Sequence, residues 1–321
     1  MQAFPKRVLL AGATGYLGRA VARELVSRGC DVVALVRQPE VKVHGCSVVP
    51  ADLTDAEKLA ATLDGFKADA IVSCMASRSG APKDAWLVDH QANSNVLALA
   101  GSLGATHFQL LSAICVQRPR LAFQQAKLAF EAELQESGID HTIIRPTAFF
   151  KSLSGQVGRV LKGKPFMVFG TGNETACKPI GEADLAVFMA DCLSDPEARN
   201  RILPIGGPGD AVTLREAGEL LFELAGKPPR FKSVPVGMFR VAEAVLAPLG
   251  WVFPGLAAKA EFARIGHYYA TESMLVWDAA RGCYDAEATP ATGSETLRDH
   301  YTRVLREGLH GQELGDHTLF D

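Results

Sequence analysis

A glycine-rich segment near the start of the chain has the residue types and spacing of a phosphate-binding turn. Gly12–Gly18 follows the short apolar run Arg7–Ala11 and precedes a stretch with helical spacing of apolar residues. The first glycine permits a tight turn, the second a close approach of backbone to a pyrophosphate, and the third close helix–strand packing. The free N–H groups and the positive dipole end of the helix then face the anion. We predict dinucleotide binding by Gly12, Thr14, Gly15, Tyr16, Leu17 and Gly18.

Two arginines close to this turn favour NADPH over NADH. The second predicted strand ends at Arg37, where an acidic residue would bind a ribose 2′-hydroxyl but an arginine suits a 2′-phosphate. Arg19 can supply a second cation, and an ordinary surface position explains it equally well. We therefore predict NADPH as the cofactor, with Arg37 among the residues that bind it.

The Gly-x-x-Gly-x-x-Gly spacing resembles the extended and atypical members of the short-chain dehydrogenase/reductase superfamily, which usually carry Ser and Tyr-x-x-x-Lys. Ser112 ends a predicted strand and Lys127 lies on the next predicted helix, but Phe123 stands at the tyrosine position. Phe has no proton to donate, so carbonyl or alcohol chemistry and sugar epimerisation are disfavoured. Hydride delivery to a polarised carbon–carbon double bond is still compatible with Phe123, because carbon accepts the hydride and the proton can come from another group. The resemblance also implies that Asp52 lies beside the adenine; a helix cap is the alternative.

Lys127 and Ser112 are the catalytic candidates in the first half of the chain. Lys127 either holds the nicotinamide ribose, as a cofactor-binding residue, or helps to supply a proton. A solvated helix lysine is the alternative, but its place one turn after Phe123, on the same face, favours a site role. Ser112 is more ambiguous, because serines are common at strand ends.

Longer blocks carry a closer resemblance. They include Ser-Ala-Ile-Cys-Val-Gln at 112–117, Arg-Pro-Thr-Ala-Phe-Phe at 145–150 and Tyr-Tyr-Ala-Thr-Glu-Ser-Met at 268–274. Over most of its length the chain resembles the divinyl chlorophyllide a 8-vinyl-reductase family. The resemblance implies NADPH-dependent reduction of the C8 vinyl group of a divinyl chlorophyllide or protochlorophyllide to ethyl. We hypothesise that hydride is added at the terminal vinyl carbon, because the resulting charge spreads into the macrocycle.

A large, flat, magnesium-containing tetrapyrrole calls for an apolar slot with a few polar groups. The substrate-binding candidates are Cys115, Phe149, Phe150, Tyr268 and Tyr269, with Trp251 and Phe253 as further wall candidates; core packing is the alternative for each. Tyr268, also a catalytic candidate, Tyr269 and Glu272 are candidate proton donors. Lys151 or Arg118 can meet the propionate. His267 can bind the magnesium axially or serve as a structural residue, and no metal site of the protein itself is predicted.

Composition excludes several classes of protein. The chain has 321 residues, 48% of them hydrophobic, and a net charge of -3, which disfavours nucleic-acid binding through a basic surface. Seven cysteines without a Cys-x-x-Cys pair suggest neither a disulfide framework nor a zinc site. Plant members of the resembled family carry a transit peptide, whereas this sequence starts directly at a predicted strand. We therefore expect a bacterial cytoplasmic protein, with peripheral membrane contact left open.

The elements that must position these residues alternate between strand and helix. Apolar strands separated by helices predict an α/β fold, a Rossmann-type doubly wound parallel sheet, with a smaller and mainly helical substrate lobe. We place the dinucleotide-binding domain at residues 1–150, to which 181–206 return, and the substrate lobe at 151–321. Thr213–Glu216 is a capping box that opens a helix to about Leu224. The apolar stretch Val234–Leu256 is expected to form mostly a buried helical pair. An apolar lid over a ligand, in contact with a membrane surface, is the alternative that we keep for its rim.

Two other functions remain compatible with the sequence. One is a different atypical reductase, similar to the isoflavone reductase group, that acts on another conjugated alkene. The other is a non-catalytic sensor of NADP(H) that uses the fold to bind a partner, which fold alone cannot exclude. An assay with NADPH and a divinyl pigment separates the three.

Overall fold

Strands between residues 7 and 205 build a seven-stranded parallel sheet. The structure, a computed structural model, describes residues 4–250 and 254–308. The strand order is β3-β2-β1-β4-β5-β6-β9, which is the doubly wound arrangement expected from the sequence. Its strands are β1 Arg7–Ala11, β2 Asp31–Val36, β3 Ser47–Pro50, β4 Ala70–Ser73, β5 His107–Leu111, β6 Asp140–Pro146 and β9 Arg201–Ile205.

Helices cover both faces of this sheet because successive strand residues point to opposite sides. The helices of this unit are α1 Tyr16–Ser27, α2 Ala56–Thr62, α3 Pro82–Ala85, α4 Ala92–Ala98, α5 Ala100–Leu103, α6 Ala122–Glu136 and α9 Glu182–Ser194, with 3-10 turns at Ile114–Gln117 and Pro196–Ala198. Phe108 of β5 packs with Phe130 of α6 in one core cluster. Gln109, the next residue of β5, points to the other face of the sheet. Its side-chain amide donates to the Met189 carbonyl of α9, at 2.8 Å. α9 therefore lies on the face opposite to α6.

The helical region that precedes β5 is interrupted in the structure. A π-helical segment, Trp86–Gln91, precedes α4, and α5 follows after a further break. A π-turn holds one more residue than an α-turn, and Asn93 stabilises it by donating from Nδ2 to the Asp89 carbonyl at 3.0 Å.

The second unit contains short two-stranded sheets and the remaining helices. Its strands are β7 Phe166–Phe169, β8 Ala176–Cys177, β10 Val212–Thr213, β11 Phe231–Val234, β12 Val276–Asp278 and β13 Cys283–Asp285, and its helices are α7 Phe150–Leu153, α8 Val157–Leu161, α10 Leu214–Leu224, α11 Gly237–Gly250, α12 Pro254–Thr271 and α13 Leu297–Glu307, with a 3-10 turn at Ser154–Gln156. The predicted capping box is present: the Thr213 hydroxyl accepts from the Glu216 N–H at 3.2 Å.

The chain divides into two compact units. The first comprises residues 1–78, 82–146 and 182–204, and the second 79–81, 147–181 and 205–321. Val234–Leu256 contains α11 and the first residues of α12. One face of α11, with Met238, Val241 and Val245, is exposed. Among residues 4–250 and 254–308, no helix has both the length and the apolar character needed to cross a bilayer.

Candidate functional site

The glycine turn joins β1 to α1 with very little space around two of its glycines. Gly12 has a φ of 78°, which favours glycine. A Cβ at Gly18 would lie 2.1 Å from the Gly12 carbonyl oxygen, so no larger residue fits without moving the turn. At Gly15 the nearest protein atom to such a Cβ is 3.4 Å away. The protein itself thus demands Gly12 and Gly18, whereas Gly15 leaves room above the helix N-terminus.

The N-terminus of α1 is suited to an anion. Within the described chain no side chain caps this end, and the first turn carries no acidic residue. Its free N–H groups therefore need an outside acceptor such as water or a phosphate. Arg19 Nε donates to the Thr14 carbonyl at 2.9 Å, which holds a guanidinium at the turn. The Tyr16 hydroxyl donates to Glu182 at the start of α9, a partner that the sequence did not indicate.

Arg37 and Asp52 lie at the ends of β2 and β3. Arg37 is exposed immediately after β2, so its guanidinium can reach a phosphate in solvent. The Asp52 carboxylate accepts from the Thr54 N–H at 3.0 Å and from its hydroxyl at 2.7 Å. These hydrogen bonds lower the pKa of Asp52. The helix-cap alternative for Asp52 was wrong, because Asp55 caps α2 by accepting from Lys58 N–H at 3.1 Å.

Lys127 forms a buried ion pair that the sequence did not predict. Its Nζ lies 2.9 Å from Oδ1 of Asp89, on the π-helical segment. Both residues are buried, with exposed fractions of 7% for Lys127 and 1% for Asp89. Burial raises the pKa of the nearby Cys74 thiol to about 12, and the Lys127 ammonium lowers it by a smaller amount. Cys74 is thus a neutral thiol near neutral pH and offers no thiolate nucleophile.

Cys74 also connects Lys127 with the glycine turn. Its N–H donates to the Ala11 carbonyl at 2.9 Å, directly before Gly12. A Cβ placed on Gly12 would lie 2.7 Å from the carbonyl carbon of Cys74. The two segments meet because β1 and β4 are parallel neighbours, with Ala11 opposite Ser73. Cys74 therefore lies against the glycine turn at the carboxyl edge of the sheet, where open α/β folds bind ligands, and the charge of Lys127 acts on its thiol.

Ser112 is buried at the end of β5 and is bound to a second unpredicted carboxylate. Its hydroxyl donates to Oε1 of Glu131 on α6. Arg145 of β6 donates from Nε to the same oxygen at 3.2 Å and from Nη2 to the other one. The Ser112 hydrogen is therefore used within the protein, and only its lone pairs remain to accept a hydrogen bond.

The segment between β5 and α6 is held by Gln124, not by the residue at the tyrosine position. Phe123 is half-buried on α6. Gln124 Oε1 accepts from Arg120 N–H at 2.7 Å and Leu121 N–H at 3.0 Å. Its Nε2 donates to the Cys115 carbonyl at 3.2 Å. Cys115 is buried in the 3-10 turn, so it behaves as a small apolar residue there.

The other substrate candidates belong to the second unit and differ in accessibility. Phe150 is 0% exposed within a hydrophobic core cluster, and its ring lies 5.0 Å from His300. This burial favours core packing. Phe149 is half-buried and Tyr269 exposed, so both keep surface for a ligand, whereas Tyr268 is buried with its ring perpendicular to that of Tyr269. Trp251 and Phe253 lie outside the described residues.

The proton-donor candidate Glu272 has a hydroxyl partner in the same unit. Tyr284 donates to Oε2 of Glu272 at 2.6 Å, and Glu272 is buried. The magnesium-ligand candidate, His267, is half-buried on α12. Across the described residues, no group of three or more His, Cys, Asp or Glu side chains is arranged to hold a metal ion.

The sequence contains a usable signal for the carboxylates that it did not identify. Arg145 lies in the apolar strand Thr-Ile-Ile-Arg-Pro, and Asp89 follows the apolar Trp-Leu-Val. A charge inside an apolar run requires an opposite charge when it is buried. Glu131, four residues after Lys127 on α6, lies on the same helix face. Which acid meets which base depends on how the helices pack against the sheet, and the sequence does not specify that packing.

The chain has a Rossmann-type nucleotide-binding domain, as comparisons with known proteins show. A family model described as NAD(P)H-binding matches residues 12–196. An Escherichia coli NADPH-dependent quinone oxidoreductase, solved with NADPH, has a TM-score of 0.68 at 20% identity, covering 93% of this chain and 99% of that one. The Bordetella bronchiseptica enzyme WbmG, solved with NAD, has a TM-score of 0.68 at 16% identity, covering 96% of both chains. These likenesses show the fold, and the family model shows a nicotinamide cofactor.

The chain belongs to the divinyl chlorophyllide a 8-vinyl-reductase family. The chloroplastic enzyme of that name from Oryza sativa subsp. indica is 50% identical, over 98% of this chain and 82% of the relative. Its counterpart from Arabidopsis thaliana is 46% identical, over 96% of this chain and 79% of the relative. The resemblance inferred from the Ser-Ala-Ile-Cys-Val-Gln and Tyr-Tyr-Ala-Thr-Glu-Ser-Met blocks is therefore confirmed.

Proposed function

We propose that the protein reduces the C8 vinyl group of a divinyl chlorophyllide or protochlorophyllide to ethyl, with NADPH as the hydride donor. Identity of 50% to a named 8-vinyl-reductase over nearly the whole chain carries this proposal. The chemistry of the site agrees with it, since Phe123 replaces the residue that exchanges a proton with carbonyl oxygen. A hydride acceptor at carbon does not need that proton at the same position.

Different residues of the first unit bind different parts of the cofactor. The N–H groups at the start of α1, with Gly15 below them, suit the pyrophosphate. Lys127 is held at the same edge of the sheet by Asp89. An ammonium has three N–H donors, so Lys127 can pair with Asp89 and still bind the hydroxyl groups of the nicotinamide ribose. We assign Lys127 to cofactor binding and leave proton delivery to a group near the macrocycle.

NADPH is the form of cofactor that the exposed charges favour. Arg37, at the end of β2, is where a ribose 2′-substituent is read in this fold. Arg19, fixed by the Thr14 carbonyl, places a second guanidinium at the turn. Two guanidinium groups suit a phosphate better than a hydroxyl, because they are permanently charged and bind phosphate oxygens bidentately.

The deciding experiment incubates the purified protein with NADPH and divinyl chlorophyllide. Reduction of the conjugated vinyl group shortens the conjugation, so we expect a blue shift of the main absorption band in step with NADPH oxidation. Monovinyl chlorophyllide is the matched control and should not react. Tight NADPH binding without turnover on the divinyl pigment would instead favour a sensor. Turnover of another conjugated alkene alone would favour an isoflavone-reductase-like enzyme.

We also propose that the outer face of α11 touches the surface of a membrane. Met238, Val241 and Val245 follow one another at spacings of three and four residues and are exposed by 54%, 65% and 58%. Arg240 is exposed between them. An apolar helix face flanked by a cation suits an interface with anionic lipid headgroups. Val241→Glu should abolish co-sedimentation with phosphatidylglycerol vesicles; equal sedimentation of wild type and variant would contradict this.

A further inference from the structure

Asp89 is a buried carboxylate tied to two separate segments of the first unit. Oδ1 lies 2.9 Å from Lys127 Nζ, and Oδ2 accepts from the Ser77 N–H at 3.3 Å, in the loop after β4. Its exposed fraction is 1%. A carboxylate at this depth is strongly disfavoured unless a cation and hydrogen-bond donors compensate for the lost water. Asp89 thus joins α6 to the loop that follows β4.

The backbone that carries Asp89 is itself fixed to the sheet. Ser73, the last residue of β4, donates to Asn93 Oδ1 at 2.6 Å. Asn93 Nδ2 in turn donates to the Asp89 carbonyl at 3.0 Å. The π-helical turn is therefore held against β4, which neighbours β1 and its glycine turn. π-turns are rare and occur frequently at functional sites.

We propose that Asp89 is a positioning residue that holds the ammonium of Lys127 in place for the cofactor. A lysine side chain is a flexible four-carbon stem with a point charge at its end. Fixing that charge before the cofactor arrives removes an ordering cost from binding. Asp89 acts through Lys127 and needs no contact with cofactor or pigment. This inference rests on the cofactor-binding role proposed above for Lys127.

A double-mutant cycle on NADPH affinity tests the proposal without any pigment. Asp89→Asn keeps the size of the side chain and removes its charge, and Lys127→Met keeps the apolar stem. NADPH is titrated calorimetrically into the wild type, both single variants and the double variant. We expect each single variant to weaken binding by about tenfold or more, and Asp89→Asn to cost less than about twofold when Met is at 127, because residues that act through one another are not additive.

Steady-state kinetics provide a second measure that a merely structural role would not change. With a divinyl pigment, Asp89→Asn should raise the KM for NADPH and leave the KM for the pigment unchanged. Asp64→Asn, at an exposed carboxylate of the same unit, is the control and should behave like the wild type. Thermal unfolding confirms that each variant is folded. If Asp89→Asn does not fold, Asp89→Glu replaces it. It keeps the charge but moves the carboxylate by one methylene, so we expect weaker NADPH binding with Lys at 127 and no change with Met there.

Two results would overturn the proposal. If Asp89→Asn weakens NADPH binding equally with Lys or Met at position 127, Asp89 does not act through Lys127. If Lys127→Met binds NADPH as tightly as the wild type, there is no cofactor contact for Asp89 to position. Failure of the proposed reaction is seen separately, as absence of pigment reduction by the wild type, while the binding cycle remains measurable.

Discussion

The hydroxyl group of Ser112 donates a hydrogen bond to the carboxylate of Glu131, a residue on the helix that carries Lys127. Arg145 binds the same carboxylate, so β5, α6 and β6 are joined by one buried polar group. A serine at this strand end suggests a hydrogen-bond donor for a substrate. In the structure the Ser112 hydroxyl instead donates its hydrogen to Glu131. The main effect of this hydrogen bond is therefore to fix how α6 packs.

Removing Glu131 should destabilise the first unit. Glu131→Ala leaves Arg145 half-buried without its carboxylate, and breaking a buried ion pair in this way costs about 3–5 kcal/mol. Ser112→Ala removes a hydrogen bond to a charged group and should cost about 1.5–3 kcal/mol. Urea unfolding of both variants measures the two losses. An unchanged unfolding midpoint for Glu131→Ala would show that the interactions of Glu131 with Ser112 and Arg145 contribute nothing to stability.

Alanine at Gly15 and at Gly18 should have different consequences. Gly18→Ala brings a Cβ to 2.1 Å from the Gly12 carbonyl oxygen, so the turn must move, and both folding stability and cofactor binding should fall. In Gly15→Ala the new Cβ would lie 3.4 Å from the Gly12 carbonyl oxygen, an ordinary contact distance. Stability should therefore change by less than about 1 kcal/mol, the usual scale at a helix N-cap.

NADPH titration and thermal unfolding of these two variants together test whether the glycine turn binds the pyrophosphate. For Gly15→Ala we expect a normal melting temperature with affinity reduced by about tenfold or more, because a methyl group blocks the backbone from approaching a phosphate. Wild-type affinity in Gly15→Ala would mean that the pyrophosphate does not lie over this residue.

Replacing Lys127 alone should destabilise the protein more than replacing both members of its ion pair. Lys127→Met leaves Asp89 buried and unpaired, with an expected loss of about 3–5 kcal/mol. The double variant with Asp89→Asn has no unpaired charge and should recover most of that loss. Denaturant unfolding of the three proteins decides the point; a double variant as unstable as Lys127→Met would contradict it.

His107 should make stability depend on pH. Burial lowers the pKa of His107 to about 4 from an ordinary 6.5, so the folded protein resists a proton that the unfolded chain binds. Stability is therefore complete above pH 6.5 and falls as the pH drops from 6.5 to 4, by about 3 kcal/mol in all.

The unfolding free energy measured at several pH values checks this. His107→Gln has no titrating ring, and its stability should decline less over the same range. The Nε2 partner of His107, the Thr142 hydroxyl at 2.9 Å, accepts a hydrogen bond from a neutral ring. Equal slopes in the wild type and His107→Gln would assign the acid sensitivity to other groups.

Arg37→Asp should reverse the cofactor preference. An aspartate at the end of β2 can accept a hydrogen bond from a 2′-hydroxyl and repels a 2′-phosphate. We expect the ratio of kcat/KM for NADPH to that for NADH to fall by at least about tenfold, the effect of roughly 1.4 kcal/mol. Arg23→Asp, an exposed position on α1, is the charge-matched control. An unchanged ratio would place the 2′-phosphate elsewhere.

The sequence by itself determined the doubly wound sheet and the place of the glycine turn. The strand Arg7–Ala11 and the helix opened by the capping box at Thr213 were predicted with the bounds that the structure shows. These features depend on local periodicity and on turn chemistry, which neighbouring residues specify. The family blocks added the reaction, because they record a shared ancestry that periodicity does not contain.

Only the tertiary structure decided the partners of the site residues. Lys127 with Asp89, and Ser112 with Glu131 and Arg145, are contacts between different elements, and each depends on how α6 packs against its neighbours. The first also depends on the π-turn that carries Asp89. Likewise the sequence did not show which face of α11 is exposed. Hydrophobicity gives the tendency of a side chain to leave water, but which faces are covered depends on what the rest of the chain supplies to pack against them.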